Sequence, residues 1–160
     1  MIEKFVKHLG ERISYLYFVL VNLIFLDVLI RFLTDKSQIW IGELEWQIFA
    51  LLFLIGMSYA LQSDKHVRVD LFYNKFKPKT QNVIDVIGHL IFLIPWCMVV
   101  IYTSYKYAAN SWYINEGSAN PGGLPAKYII KSMIAISFFL LLVTGINETF
   151  VKIIKLKNPK

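Results

Sequence analysis

The chain has little of what most soluble domains are built on. It has one cysteine in 160 residues, Cys97, set inside an apolar segment. That excludes an internal disulfide framework and a multi-cysteine metal site, and leaves the thiol the role of a small buried hydrophobe. Charged residues make up only 18% of the chain, against roughly 25% in an average soluble domain. Acidic residues are the scarcer sign, 11 against 17 basic, for a net charge of +6. The glycines do not follow a strand and open a helix in the dinucleotide pattern. Of three histidines, only His89 lies within an apolar segment, too few for a bis-histidine haem. No nucleophile and base, and no set of metal ligands, stand together in the sequence, so an enzyme is not expected.

What the chain does have is hydrophobic length. Apolar residues account for 56% of it. Residues 48–62 are almost wholly apolar. A short polar stretch with Asp64, Lys65, His66, Arg68 and Asp70 follows, and then Lys75, Lys77 and Lys79 within five positions. A soluble domain of this size has no use for so long an apolar run ended by a basic loop, whereas a membrane helix does. The pattern recurs, and it predicts an all-α, polytopic membrane protein. One domain over residues 1–160 would carry four transmembrane helices, at about 13–33, 44–62, 83–107 and 129–150. Residues 1–12 alternate apolar and basic positions and are expected to lie as an amphipathic interfacial segment. They do not open a signal peptide, because the apolar stretch behind them is too long and lacks a small-residue cleavage site. Residues 71–80, with Phe72, Tyr73 and Phe76, read as a second headgroup-level segment bounded by Pro78.

The basic residues set the expected orientation. Lys4, Lys7 and Arg12 precede the first span, Lys65, Arg68, Lys75, Lys77 and Lys79 follow the second, and Lys152, Lys155, Lys157 and Lys160 follow the fourth. The other two connections hold only Lys36 and Lys127. The positive-inside rule then predicts N-in and C-in. Basic residues placed where apolar segments end suit lipid headgroups and argue against nucleic acid as a partner.

Several polar residues sit where a lipid-facing helix would not tolerate them. Asp27 and Arg31 are four apart on one face and can pair. Such a pair reads as a fixed polar anchor, as an ion or proton relay, or as Arg31 snorkelling to the interface. Asn22 is expected to bond to a neighbouring helix. Glu43 and Glu45 open the second helix, where carboxylates suit the positive end of its dipole. Trp40 and Trp46 fit the aromatic belt, and Gly56 and Ala60 would let another helix approach. In the HVRVD stretch, His66, Arg68 and Asp70 alternate with valines, which predicts a short extended docking loop on the membrane surface. Asp85 and His89 are four apart and can hydrogen-bond, and Pro95 is expected to bend its helix. Between the third and fourth spans, Asn115-Glu116-Gly117 and then Asn120, Pro121, Gly122, Gly123 and Pro125 prescribe tight turns. That surface would serve a partner contact or a plain connection. Lys131 then lies in the opening turn of the fourth span.

In the order of these features the chain resembles the small membrane subunit of tripartite ATP-independent periplasmic (TRAP) transporters, the DctQ-like family. The resemblance is carried by Asp27 and Arg31 in the first helix, Glu45-Trp46 at the opening of the second, HVRVDLFY at 66–73 and EGSANPGGLPAKYIIK at 116–131. It covers essentially the whole chain, and HVRVD behind a helix ending in ALQSDK is its most specific part. It implies a secondary transport system of the bacterial inner membrane with three parts. A periplasmic binding protein captures the substrate. A large membrane subunit holds the moving domain with its substrate and sodium sites. The small subunit supports that scaffold and contributes to the docking surface. On this resemblance the substrate is an organic acid, no cofactor is expected on this chain, and the polar residues named above are structural or partner contacts. The alternatives are a small self-contained proton-coupled transporter and a membrane anchor for a redox complex.

Overall fold

The structure, a computed structural model, describes residues 2–63, 73 and 75–157. Four long helices make up nearly all the regular structure of the described residues: α1 Ile2–Thr34, α2 Ile39–Gln62, α3 Pro78–Tyr113 and α4 Tyr128–Lys157. Each is long and apolar enough to cross a membrane.

All four overrun the expected spans. Residues 1–12 were expected to lie apart along the interface, but residues from Ile2 onward form the first three turns of α1. Its 33 residues rise roughly 50 Å, against a hydrocarbon core of about 30 Å. These amino-terminal turns touch α2 at two points while most of their side chains stay exposed. Val6 is fully buried, and Gln62 Nε2 at the far end of α2 donates to the Glu3 carbonyl at 2.8 Å. Glu3 in the first turn and Arg31 in the last suit the helix dipole. Helix α2 begins at Ile39, where Ile41 is already buried. Helix α3 begins at Pro78, in the first-turn position where a missing N–H costs nothing. Helix α4 continues to Lys157.

The helices do not close into a tight bundle. Helix α4 is central, flanked by α2 and α3, and α1 lies outermost against α2 with only a light touch on α4. The core is small: Leu61, Cys97 and Leu141, one from each of three helices, with Met57, Leu93 and Phe138 packed on them. Within the most apolar stretch of each span only 11% to 22% of residues are buried. The faces turned outward are therefore apolar and extensive.

Close approach happens at different glycines from the one expected. At Gly56 an added Cβ would meet nothing within 4 Å. At Gly10 in α1 it would lie 2.6 Å from Tyr59 Cδ2, so this is where α1 and α2 touch. At Gly145 it would strike the end of Leu93, so this is where α4 receives α3.

Helices α3 and α4 run antiparallel, and their contacts step down the pair in register. Asp85 meets Lys152, His89 meets Thr149, Leu93 covers Gly145, and Cys97 reaches Leu141 in the core. The turn His89–Leu93 is π-helical, with the Ile94 N–H returning to the His89 carbonyl. Pro95 follows directly and has no N–H to give. The wide turn is the local adjustment that lets a proline sit within a span.

Candidate functional site

Three polar clamps hold this open arrangement, and each joins elements far apart in sequence or stands at a helix boundary.

The first is an ion pair within α1 that faces Glu45 on α2. Arg31 pairs with Asp27, as their spacing predicts. Asp27 is buried while the Arg31 side chain is 59% exposed. Glu45 on α2 stands within the electrostatic field of both, and its Oε1 is buried without a hydrogen-bond partner. The site therefore holds two carboxylates to one guanidinium. Asn22 does not reach a neighbouring helix. It is exposed, and its amide donates to the Phe18 carbonyl at 2.7 Å within α1. A side-chain amide satisfied by its own helix needs no partner.

The second clamp shapes the connection between α3 and α4. Helix α3 ends in a Schellman motif: Asn115 takes a left-handed conformation, φ 48°. Its N–H returns to the Trp112 carbonyl, and the Glu116 N–H returns to Ser111. That turn delivers the Glu116 carboxylate to Lys131 on α4, whose ammonium also lies 3.8 Å from the centre of the Tyr107 ring. Lys131 is thus a buried tie between loop, α3 and α4. The ion pair holds the Glu116 carboxyl below the usual carboxylate range. Next, Asn120-Pro121-Gly122-Gly123 makes a type II turn, closed by Gly123 N–H to the Asn120 carbonyl at 3.0 Å. Gly122 has φ +80°, which the turn requires of its third residue. Gly123 is needed for another reason: a Cβ there would strike Ser118 and Glu43. Two further backbone bonds, Ser118 to Leu124 at 3.0 Å and Lys127 to Glu116 at 2.9 Å, draw the two arms together. Pro121 and Pro125 are exposed on its outside.

Glu43 completes this clamp, and its role differs from the expected one. It sits in the second turn of α2, buried, and does not serve as a dipole carboxylate at the helix start. Its oxygens accept from the Ser118 hydroxyl and from the Leu124 N–H at 2.7 Å. An acidic residue near a helix start is read as a dipole partner because the loop it reaches lies 75 to 81 positions away. The signal that would have found it is the turn sequence itself: a tight NPGG loop has backbone donors that need an acceptor. Trp46, one turn further along α2, is half-exposed, as a belt residue would be. Trp112 packs edge-on against Tyr128, 4.5 Å between ring centres.

The third clamp joins the start of α3 to the end of α4. Asp85 takes the Lys152 ammonium and the Tyr73 hydroxyl at 2.8 Å, both from outside its own helix. His89 Nδ1 lies 3.1 Å from Thr149 Oγ1. The Thr149 hydroxyl hydrogen is already spent on the Gly145 carbonyl at 2.7 Å, so His89 Nδ1 carries the proton and donates. Sequence spacing pointed from Asp85 to His89; tertiary packing gives each of them a partner on α4. His66, Arg68 and Asp70 of the HVRVD stretch lie outside the described residues.

Among the described residues no three of His, Cys, Asp and Glu come together to hold a metal ion. The arrangement is one of ties between helices, with a loop stapled over one end of the bundle. A family model described as "Tripartite ATP-independent periplasmic transporters, DctQ component" matches residues 20–155. The chain belongs to the DctQ family. The match takes in all three clamps, from Asp27 to Lys152. A DctQ chain is a component of a TRAP transporter. With four helices able to span a bilayer, this DctQ chain is a multi-pass membrane protein. A comparison with curated proteins finds no match.

Proposed function

We propose that this DctQ chain is the stationary scaffold subunit of a TRAP transporter, holding a large membrane subunit during sodium-coupled uptake of an organic acid. The observation that carries the proposal is the pairing of stapled helix ends with wide, unburied apolar faces. Asp85–Lys152 ties α3 to α4, Glu43 ties α2 to the loop at Leu124, and Asp27–Arg31 pairs within α1, while only 11% to 22% of the most apolar stretch of each span is fully buried. A domain that moves across the bilayer needs a frame that does not, and rigid ties inside broad lipid-depth faces provide one. The substrate and sodium sites belong to the large subunit, and a periplasmic binding protein delivers the substrate. The chain lies N-in and C-in in the bacterial inner membrane, which puts the stapled 114–127 loop on the side where that protein docks.

Tagged purification from the native membrane in mild detergent, followed by reconstitution, tests the proposal. A large polytopic protein should co-purify at a fixed ratio, and uptake should require it, a soluble binding protein and a sodium gradient. Substrate-specific flux from the small chain alone would overturn the scaffold reading in favour of a self-contained transporter. A co-purifying redox enzyme would make the chain an electron-transfer anchor. Cysteines introduced at Ser37 and Ser118 should label from outside intact cells, and one at Lys75 should not.

A further inference from the structure

A slot of about 480 Å³ opens between α2 and α4, beneath the stapled loop. Its inner end is wholly apolar, walled by Phe53 and Leu54 on α2 and by Ile130 and Ile134 on α4. Its outer end is polar, with Lys127 and Lys131 against the single carboxylate of Glu116. Trp46 stands beside that end at the level of the aromatic belt.

The dimensions choose the occupant. From Trp46 to Leu54 the slot descends about 12 Å along α2, most of one leaflet of a hydrocarbon core about 30 Å thick. A partner helix crossing the bilayer would need a groove running through both leaflets. A helix also fills roughly 400 Å³ per turn, taking a cylinder about 10 Å wide with a pitch of 5.4 Å, so this slot would hold about one turn. A lipid chain entering from one headgroup layer needs depth in one leaflet only, with a polar mouth and an apolar end. The slot has that polarity.

The charges point the same way. Lys131 is committed to Glu116 and to the Tyr107 ring. Lys127 is half-buried at the mouth, where its charge acts on the Glu43 and Glu116 carboxylates without a hydrogen bond or close ion pair to either. The carboxylates nearest to it have other partners: Glu116 has Lys131, and Glu43 has Ser118 and Leu124. We propose that this slot is a binding site for one membrane phospholipid, an acyl chain lying along Phe53 and Ile134 and the phosphate held by Lys127. This goes beyond a scaffold role. It rests on the chain spanning a bilayer, and neither on the large subunit nor on which side faces the cytoplasm.

The test is native mass spectrometry of the full chain in detergent, titrated with dioleoyl-phosphatidylglycerol and with dioleoylglycerol, which has the same tails and no phosphate. One phosphatidylglycerol should be retained per chain, with dioleoylglycerol bound much more weakly. Lys127→Gln should lower phosphatidylglycerol affinity roughly tenfold, the scale of one charge-assisted contact, and bring it to the level of dioleoylglycerol. Ala50→Trp, which fills the slot from α2, should weaken both ligands. Lys36→Gln, on a different connection, should change neither. Helicity and the thermal midpoint of each variant establish that it is folded, and Lys127→Gln decides the matter alone if Ala50→Trp is not. Equal affinity of wild type and Lys127→Gln would overturn the site, as would equal binding of the two lipids. A cysteine at position 50 that cross-links in native membranes to a large polytopic protein would also overturn it, by assigning the slot to a partner helix.

Discussion

The Glu43 carboxylate inside α2 accepts the backbone N–H of Leu124 at 2.7 Å, across 81 positions of sequence. One acidic side chain thereby sets the position of the whole connection between α3 and α4, since Ser118 bonds the same carboxylate.

Replacing Glu43 by Ala should release that loop without unfolding the helices. Leu124 N–H and Ser118 Oγ would lose their acceptor, and Gly123 its close neighbour. Amide exchange at Leu124 should accelerate by roughly tenfold or more, the scale of losing a hydrogen bond to a charged group. Glu43→Gln keeps a carbonyl acceptor and should be intermediate. Unchanged exchange at Leu124 in Glu43→Ala would show that the backbone turns alone hold the loop.

The Glu116–Lys131 tie makes the same loop sensitive to acid. Glu116 has a carboxyl held below its ordinary range by the Lys131 ammonium. A lowered folded-state value stabilises the fold above the unfolded carboxylate range, about 4.3. That contribution is lost as pH falls through the folded value. The thermal midpoint of wild type relative to Glu116→Gln should therefore be higher at pH 7 and converge with it in acid. A gap that persists unchanged to pH 3 would mean the pair contributes through packing and not through charge.

The glycines separate by what stands over them. Gly10→Ala would push a Cβ against the Cδ2, Cγ and Cβ of Tyr59, atoms near the root of a ring that cannot swing away. It should cost about 1–3 kcal/mol, the usual penalty of overpacking, and loosen α1 from α2. At Gly145 the obstruction is the free end of Leu93, which can rotate, so Gly145→Ala should cost less. Gly56→Ala faces open space and should fall within about 0.5 kcal/mol of wild type. Thermal unfolding in detergent gives the order, and a Gly56 variant as damaging as Gly10 would refute the packing described.

At the α1–α2 clamp the two partners are not equivalent. Arg31→Gln leaves buried Asp27 beside Glu45 with no cation, whereas Asp27→Asn leaves a half-exposed guanidinium still facing Glu45. Removing the counter-ion of a buried charge is the costly change, and an exposed guanidinium can turn to the interface. Arg31→Gln should be the worse by about 1–2 kcal/mol. Adding Glu45→Gln to Arg31→Gln should recover part of the loss. Abundance of the chain in membranes and its detergent melting curve measure both; equal losses would mean Glu45 takes no part.

Sequence alone determined that four apolar helices cross a membrane, because the cost of leaving backbone groups unpaired in lipid allows few other readings of such runs. It determined the Asp27–Arg31 pair, because a spacing of four on one helix brings side chains together whatever lies around them. It determined the turn at 120–123, because proline and glycine restrict the backbone locally. Only the tertiary structure decided where each helix ends, since charged turns such as residues 3–12 and 151–157 are good helix formers once a neighbour holds them. It also decided which glycine is a contact: Gly10 and Gly145 look no different from Gly56 until helices are laid side by side. The same holds for Glu43, Asp85 and His89. Their partners at Leu124, Lys152 and Thr149 lie 60 to 81 positions away, and a hydrogen bond across that distance follows from how helices pack, which no local spacing records.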